Sequence, residues 1–487
     1  MQPALKDPSH LKNQAYLAGR WSDAKSGSVI EVRDPADGQL LGHVPSLDAE
    51  EIEEAIKTAQ GAMVLWKKEP ASVRSKILRQ WFELMVEHAD DLAAILTAEQ
   101  GKPLAEARGE IAYASSFIEW FASEATRIDG EIIPGPSADR RILVLKEPVG
   151  ICAAITPWNF PSAMVTRKVA PALAAGCAIL VKPASQTPFS ALALANLALR
   201  AGLPSGLFSV VTGKASIVGS ALTASPIVRK LSFTGSTEIG KTLIRDCAAT
   251  VKRVTMELGG NAPFIVFEDA DLEAAVEGLM ASKFRGSGQT CVCANRILVH
   301  SSVASRFTEL LVGKVSKLLV GPGTRDGVTQ GPLIDEAAVV KVESLIGDAI
   351  SLGAKVIAGG KRHSLGGFYF EPTILSECTP AMALAQEEIF GPVAPVFTFT
   401  SEEEAVALAN SSDVGLAAYF YSRNLARVWR VAEALECGRV GVNTGVISNA
   451  AAPFGGIKES GYGREGSRHG INDYLSLKYV CVAGLGS

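Results

Sequence analysis

Cys291 lies in the segment GSGQTCVCANR, where Gly286, Ser287, Gly288, Gln289 and Thr290 make a flexible polar approach that can present a thiol at a cleft. A thiol so placed is a candidate nucleophile, because its thiolate attacks electrophilic carbon. Glu257, in MELGGN, stands beside two glycines where a β-forming run ends, and an acid there can serve as general base. A lone cysteine is more often an inert filler of the core. Cys152, Cys177, Cys247, Cys378, Cys437 and Cys481 lie in apolar stretches and read that way, as buried thiols. The eight cysteines form no CxxC pair and no disulfide framework, which suits a reducing compartment. Cys293 reads as packing; a disulfide to Cys291 would need a bent loop, since residues i and i+2 of extended chain sit near the upper limit of bridgeable spacing.

Two glycine patterns point elsewhere. Gly235 to Thr242, GSTEIGKT, satisfies the phosphate-loop pattern, and IVFED resembles an acidic strand that holds magnesium. The neighbouring strand ends carry residues that phosphoryl transfer does not need. The simpler reading is a strand-to-helix turn whose glycine lets backbone approach a ligand. Gly461 to Gly466, GYGREG, matches GxGxxG, but no strand is expected to lead into it.

The elements that must position these residues follow from periodicity. Between 50 and 125, apolar residues recur every three or four positions and predict helices. From Gly150, short β-rich runs alternate with helical stretches: GICAAITP, CAILVKP, LFSVVTG, VRKLSFTG and RVTMELGG. Strands spaced by helices imply right-handed parallel crossovers and a doubly wound sheet, whose ligands lie at the carboxyl ends of its strands. A second α/β succession follows in PFIVFED, RILVH, AKVIAGG, FEPTIL, APVFTFT, AAYFYS and GRVGVNTG, and carries the Cys291 loop. The stretch 127–149 reads as a hairpin-like excursion and YLSLKYVCVAG as a final strand; both suit a subunit contact. The run Val169 to Val181 contains Pro171 and Gly176 and is too short to span a bilayer, which needs about 20 residues.

With 47% hydrophobic and 20% charged residues, a chain of 487 residues can bury two or three domain-sized cores, with one large core as the alternative. A net charge of -4 supplies no basic field for a polyanion, so nucleic acid is not an expected partner; neither is a membrane. The start, MQPALKDPSHLKNQ, has no apolar core and reads neither as a signal nor as a transit peptide, so a cytoplasmic location is expected.

The segments ITPWNFP, KPASQTP, FTGSTEIG, ELGGNAP, GQTCVCANR, EEIFGP and PFGGIKESGYGREG, in this order and across essentially the whole chain, resemble the signature segments of the aldehyde dehydrogenase superfamily. Within it the resemblance is greatest to NADP-dependent enzymes that oxidise succinate semialdehyde, with oxidation of glutarate semialdehyde or another small aldehyde as the alternative. A thiol-dependent acyl transferase or hydrolase without redox chemistry is the alternative from another class. The resemblance implies an aldehyde dehydrogenase fold: a Rossmann-like NAD(P)-binding domain of residues 1–126 and 150–258, a catalytic α/β domain of residues 259–466, and a small β oligomerisation element of 127–149 and 467–487, in a homodimer or homotetramer. It assigns a covalent thioester to Cys291, water activation to Glu257, and the oxyanion to Asn159 with the Cys291 main-chain N–H. Its cofactor residues map onto Thr156, Pro157, Trp158, Asn159, Lys182, Pro183, Ala184, Ser185, Gly235, Ser236, Leu258, Glu388 and Phe390.

NAD-preferring relatives commonly carry Glu where Ser185 stands, so NADP is the expected cofactor, with NAD less preferred. For the substrate carboxylate the expected partners are Arg167, about two turns along the helix opened by Asn159, and Arg285 before the Cys291 loop; the resemblance points to the same two positions and implies Ser448 as a hydroxyl donor. No metal is expected.

Overall fold

The computed structural model describes residues 3–485, built on three main sheets. Strands Ile151–Ile155, Ile179–Lys182, Phe208–Val210, Val228–Thr234 and Arg253–Glu257 are parallel. Ile151–Ile155 lies between Ile179–Lys182 on one side and Val228–Thr234 on the other, so the order of winding reverses beside it. This reversal opens a crevice at the carboxyl ends of the strands. Four helices, Ala49–Trp66, Ala71–Glu87, Ala89–Gln100 and Leu104–Glu124, fill the stretch whose apolar spacing predicted helix. The first opens with a reciprocal cap, each of Asp48 and Glu51 accepting the other's main-chain N–H at 2.9 Å.

Periodicity missed the elements before residue 49. Ala15–Leu17 and Arg20–Ser22 form a hairpin that extends the first sheet antiparallel to Phe208–Val210, and Val29–Arg33 pairs with Leu40–Pro45. At the opposite edge Gly461–Tyr462 pairs antiparallel with Met256 and Glu257, so the GxGxxG stretch begins as an edge strand, two residues after the short strand Ile457–Lys458 that pairs with Val414–Gly415.

The second sheet runs, in spatial order, Lys355–Ala358, Thr373–Ser376, Val393–Phe399, Ala294–His300, Ala262–Val266, Ala418–Tyr421 and Val440–Val442; only Lys355–Ala358 is antiparallel. Strand Ala262–Val266 starts almost where Arg253–Glu257 ends, so the ELGGN turn carries the chain from one sheet to the next. The third sheet packs Leu475–Val482 on Arg141–Pro148 and Glu131–Pro134, all antiparallel. Leu477 and Tyr479 are 69% and 64% exposed on one face of it and Ile132 78% exposed on the other, apolar residues without cover in the single chain.

The run from Val169 divides as its proline and glycine imply: helix Ala163–Ala175 ends at Gly176 with φ 92°, and a buried strand follows. Two cysteines depart from expectation, Cys437 being half-buried and Cys481 exposed on the outermost strand of the third sheet. Among the described residues no helix is long and apolar enough to cross a membrane.

Candidate active site

Glu257 ends a strand of the first sheet, whereas Cys291 precedes strand Ala294–His300 of the second. The thiol therefore sits at the amino edge of its own sheet, facing a cleft whose other wall is the carboxyl edge of the first. A Cβ at Gly260 would strike the Cys291 carbonyl oxygen, so only glycine lets the ELGGN turn pass this close. Gly286, Ser287 and Gly288 hold left-handed φ of 59°, 55° and 75°, turning the chain sharply after helix Leu272–Lys283. The strained Ser287 is held by its hydroxyl, which donates to Gly331 O at 2.8 Å.

Fixed hydrogen bonds brace this loop. Tyr419 Oη donates to Val292 O at 2.8 Å, and Gln289 accepts from Ile334 N at 3.0 Å while donating to Gly286 O at 3.1 Å. Asn295 ties the glycine turn to the EEIFGP segment: its Nδ2 donates to Asn261 Oδ1 at 2.6 Å and Glu387 O at 3.1 Å, and its Oδ1 accepts from Ile389 N at 3.1 Å. Asn159 precedes helix Ala163–Ala175 rather than opening it, and one amide hydrogen goes to Gln289 O at 3.0 Å. Its own carbonyl accepts from Lys102 Nζ at 2.7 Å, and Lys102 is paired with Glu110 at 2.6 Å. Glu110 Oε1 in turn accepts from Ser162 N at 3.0 Å and Ala163 N at 3.3 Å, an acid placed at the positive end of the helix.

A cavity of about 390 Å³ brings together Pro157, Trp158, Asn159, Gly235, Ser236, Leu258, Cys291, Glu388 and Phe390. Trp158 meets Phe390 edge to face, centroids 5.5 Å apart, and Phe390 is held at φ 54°. The sequence reading missed the other wall, formed by Ile334, Asp335, Ala338 and Lys341 at the start of helix Glu336–Ser351, with Met164, Thr234 and Gly259. Lys341 donates to Glu388 O at 2.6 Å. Thr156 follows one adjoining strand, Lys182 ends the next with Pro183, Ala184 and Ser185 after it, and none of these is part of this wall; nor are Glu257, Arg167, Arg285 and Ser448.

The carboxylates are tuned by burial. Glu257 is 2% exposed and neither oxygen has a hydrogen-bond partner. Burial, with Glu465 adding to it and Arg167 and Lys168 opposing, pushes this carboxyl up to about 8. Burial also raises Glu388 to about 7 and the Cys291 thiol to about 11. Charges near Cys291 oppose one another: Glu388 and Glu257 raise it, Arg439 and Arg167 lower it. Cys293 is buried, its thiol directed at the carbonyls of Lys283 and Ala294 at 3.5 Å.

Among the arginines, Arg167 is fully buried and ion-paired through Nη2 to Glu465 at 2.6 Å. Glu465 also binds Lys168, whose Nζ donates to Thr234 Oγ1 at 2.7 Å. The acid of GYGREG is thus a buried counter-ion. Arg285 lies 5.3 Å from the Phe160 ring with its Nε lacking a partner, and Ser448 is half-buried in the loop after strand Val440–Val442. Arg439 and Lys102 gave no signal in the sequence because each is one cation in an unremarkable stretch.

The phosphate-loop reading fails on its own residues. Lys241 is exposed and paired with Glu459 at 2.7 Å, and the Glu268 and Asp269 carboxylates each take a nitrogen of Arg427 at 2.7 Å. A phosphorylated dinucleotide fits other features. Lys182 is 4% exposed with no carboxylate partner among the described residues; its ammonium, lowered by burial to about 8, donates only to Pro183 O at 2.9 Å. Helix Thr237–Ala248 begins at Ser236 without a side-chain cap, leaving N–H groups for an anion. Away from the cleft, Asp7, His10 and His88 gather three potential metal ligands, but Arg200 fills that space, 3.0 Å from Asp7 and 3.1 Å from His88.

Comparison with known proteins agrees with this geometry. The Aldehyde dehydrogenase family is matched over residues 21–480. The chain is 60% identical over 481 residues to 3-sulfolactaldehyde dehydrogenase of Pseudomonas putida, covering 99% of each. It is 59% identical to the NADP(+) succinate-semialdehyde dehydrogenase of Escherichia coli strain K12, covering 98% of this chain and 99% of that one. The crystal structure of succinate-semialdehyde dehydrogenase from Burkholderia pseudomallei superposes with a TM-score of 0.98 at 61% identity, over 99% of this chain and 100% of the other. Likeness that runs unbroken through both sheets and the cleft between them makes this chain a member of the aldehyde dehydrogenase family, an NAD(P)-dependent oxidoreductase.

Proposed function

We propose that the protein oxidises a small aldehyde carrying a terminal anion, succinate semialdehyde or its five-carbon homologue, with NADP as the preferred cofactor. The observation that carries this reading is a thiol, Cys291, facing a cavity and acted on by two buried arginines, Arg167 and Arg439, and by a buried, unpartnered carboxylate, Glu257. Cys291 gives up its thiol proton to solvent water and attacks the aldehyde carbon, and the alkoxide is met by the spare Asn159 amide hydrogen and the Cys291 N–H. The cofactor, when bound, supplies the hydride acceptor that leaves a thioester on the sulfur. Glu257 then takes a proton from water as the oxygen adds to the acyl carbon, and the C–S bond breaks to release the acid and the thiolate.

Trp158 and Phe390 orient the flat ring of the nicotinamide, Glu388 holds its ribose, and Lys182 with Ser185 receives the 2'-phosphate. Pro157, Gly235, Ser236 and Leu258 shape the remaining wall. Arg285 and Ser448 face the substrate carboxylate, and Arg167, spent on Glu465, adds its charge from behind Phe454. Residues 1–126 and 150–258 act as the cofactor domain and 259–466 as the catalytic one. The uncovered apolar third sheet, 127–149 with 467–487, supports a subunit contact and hence a dimer or tetramer.

Incubating the protein with succinate semialdehyde and NADP, quenching in acid and mapping peptides by mass spectrometry tests the mechanism. An acyl adduct on Cys291, with NADPH formation abolished in Cys291→Ala although NADP still binds, is the expected result. Substantial turnover in Cys291→Ala rejects it.

A further inference from the structure

The two guanidinium groups against Phe454 differ in what they are spent on. Arg167 lies 3.7 Å and Arg439 3.6 Å from the ring centroid, so close that the two occupy opposite faces of one ring. Arg167 has Glu465. Arg439 has nothing comparable: among the described residues its guanidinium makes no ion pair, and Nε and Nη2 are buried with no hydrogen-bond partner. Unmet buried donors are costly, and a ring face compensates only part of a buried charge. The neighbourhood repeats the pattern. Tyr113 Oη and Arg285 Nε are also buried without partners, and Arg439 acts electrostatically on Tyr113, Tyr419, Cys291 and Glu257 alike.

Arg439 acts on Cys291 and Tyr113, and Arg439 and Arg285 both act on Tyr419, so several unspent donors and two cations without an ion pair among the described residues surround the nucleophile. They match an incoming group with several anionic oxygens, since a planar arginine fork holds such a group through paired charge-assisted hydrogen bonds.

We infer that Arg439 is a specificity-determining residue which, with Arg285, grips the terminal oxyanion group of the aldehyde substrate. The inference rests on the acidic-aldehyde reading above. Arg167, held by Glu465, is then the fixed positive wall behind Phe454, and Phe454 keeps the Arg439 fork from collapsing toward Glu465. A carboxylate and a sulfonate share the required chemistry.

The test measures NADP-dependent turnover of the full-length protein, Arg439→Met and Arg439→Lys on succinate semialdehyde, 3-sulfopropanal and butanal. In Arg439→Met the ratio of kcat/KM on an acidic aldehyde to that on butanal should fall by about tenfold or more, mainly through KM, and Arg439→Lys should recover part of it. A fall with succinate semialdehyde alone identifies a carboxylate receptor, a fall with 3-sulfopropanal alone a sulfonate receptor. Because the readout is a ratio within each variant, partial misfolding leaves it interpretable. An unchanged ratio overturns the inference, as does an equal loss on all three aldehydes accompanied by slower alkylation of Cys291 by iodoacetamide, which would place Arg439 on the thiol. Wild-type protein that favours butanal over both acids rejects the acidic-aldehyde reading itself, a result distinct from either.

Discussion

Lys102 holds Asn159 by its main chain, Nζ to carbonyl oxygen at 2.7 Å, while the same ammonium neutralises Glu110 at 2.6 Å. Both charges are buried, at 2% and 1% side-chain exposure, so removing one strands the other. Lys102→Met should cost about 3 kcal/mol in urea unfolding and lower kcat by about tenfold through a displaced Asn159 amide. Adding Glu110→Gln should restore much of the stability without restoring kcat. Recovery of both together would mean that Lys102 serves the fold alone.

The buried carboxyl of Glu257 sets opposite pH trends for activity and stability. Burial raises it from 4.5 to about 8, so at pH 7 about a tenth of the molecules carry the base form. Thioester hydrolysis should rise with pH, reach half its plateau near 8 and level off about one unit above that, and Glu257→Gln should lose this limb together with about 10²-fold or more of turnover. In the unfolded chain the proton leaves near 4.5. Between that pH and about 8 the folded state holds a proton the unfolded state has released, so this group's contribution to stability falls as pH rises. Glu257→Gln removes the slope: it should be more stable than the parent at pH 8.5 by about 1 kcal/mol or more, the difference shrinking toward pH 5. Parallel Tm curves for the two proteins over this range would contradict the assignment.

Ser185 stands three residues after Lys182, and together they offer a neutral hydroxyl and a buried cation at one strand end. Ser185→Glu would set a carboxylate against the 2'-phosphate and should weaken NADP binding by about tenfold or more while sparing NAD, as read by fluorescence titration of each. An unmoved ratio of the two Kd values would remove Ser185 from the phosphate site.

Much of this architecture was legible because its strands announce themselves. Runs such as CAILVKP and RVTMELGG are apolar, bounded and separated by helical spacing, and each became a strand of the first sheet. Ala15–Leu17 was not legible, being three residues long and paired with a strand nearly two hundred residues away, Tyr16 opposite Val210. Cys291 and Glu257 could be picked out because small or glycine neighbours betray a special backbone. Arg439, Lys102 and the start of helix Glu336–Ser351 could not, since their roles arise only when distant segments meet. Arg167 was identified as a cation at the site, but its Glu465 partner lies almost 300 residues on, in a stretch whose glycines attracted another reading.

The ELGGN turn joins the last parallel strand of one sheet to the first strand of the next with Leu258 to Asn261 between them, and Glu257 and Cys291 lie at either side of it. The cleft is therefore closed like a book at its spine, with the reacting groups printed next to the binding. Relative rocking of the two sheets changes distance least at a pivot and most at the far margin. The separation of thiol and carboxylate is therefore the dimension of the cleft that such rocking would alter least.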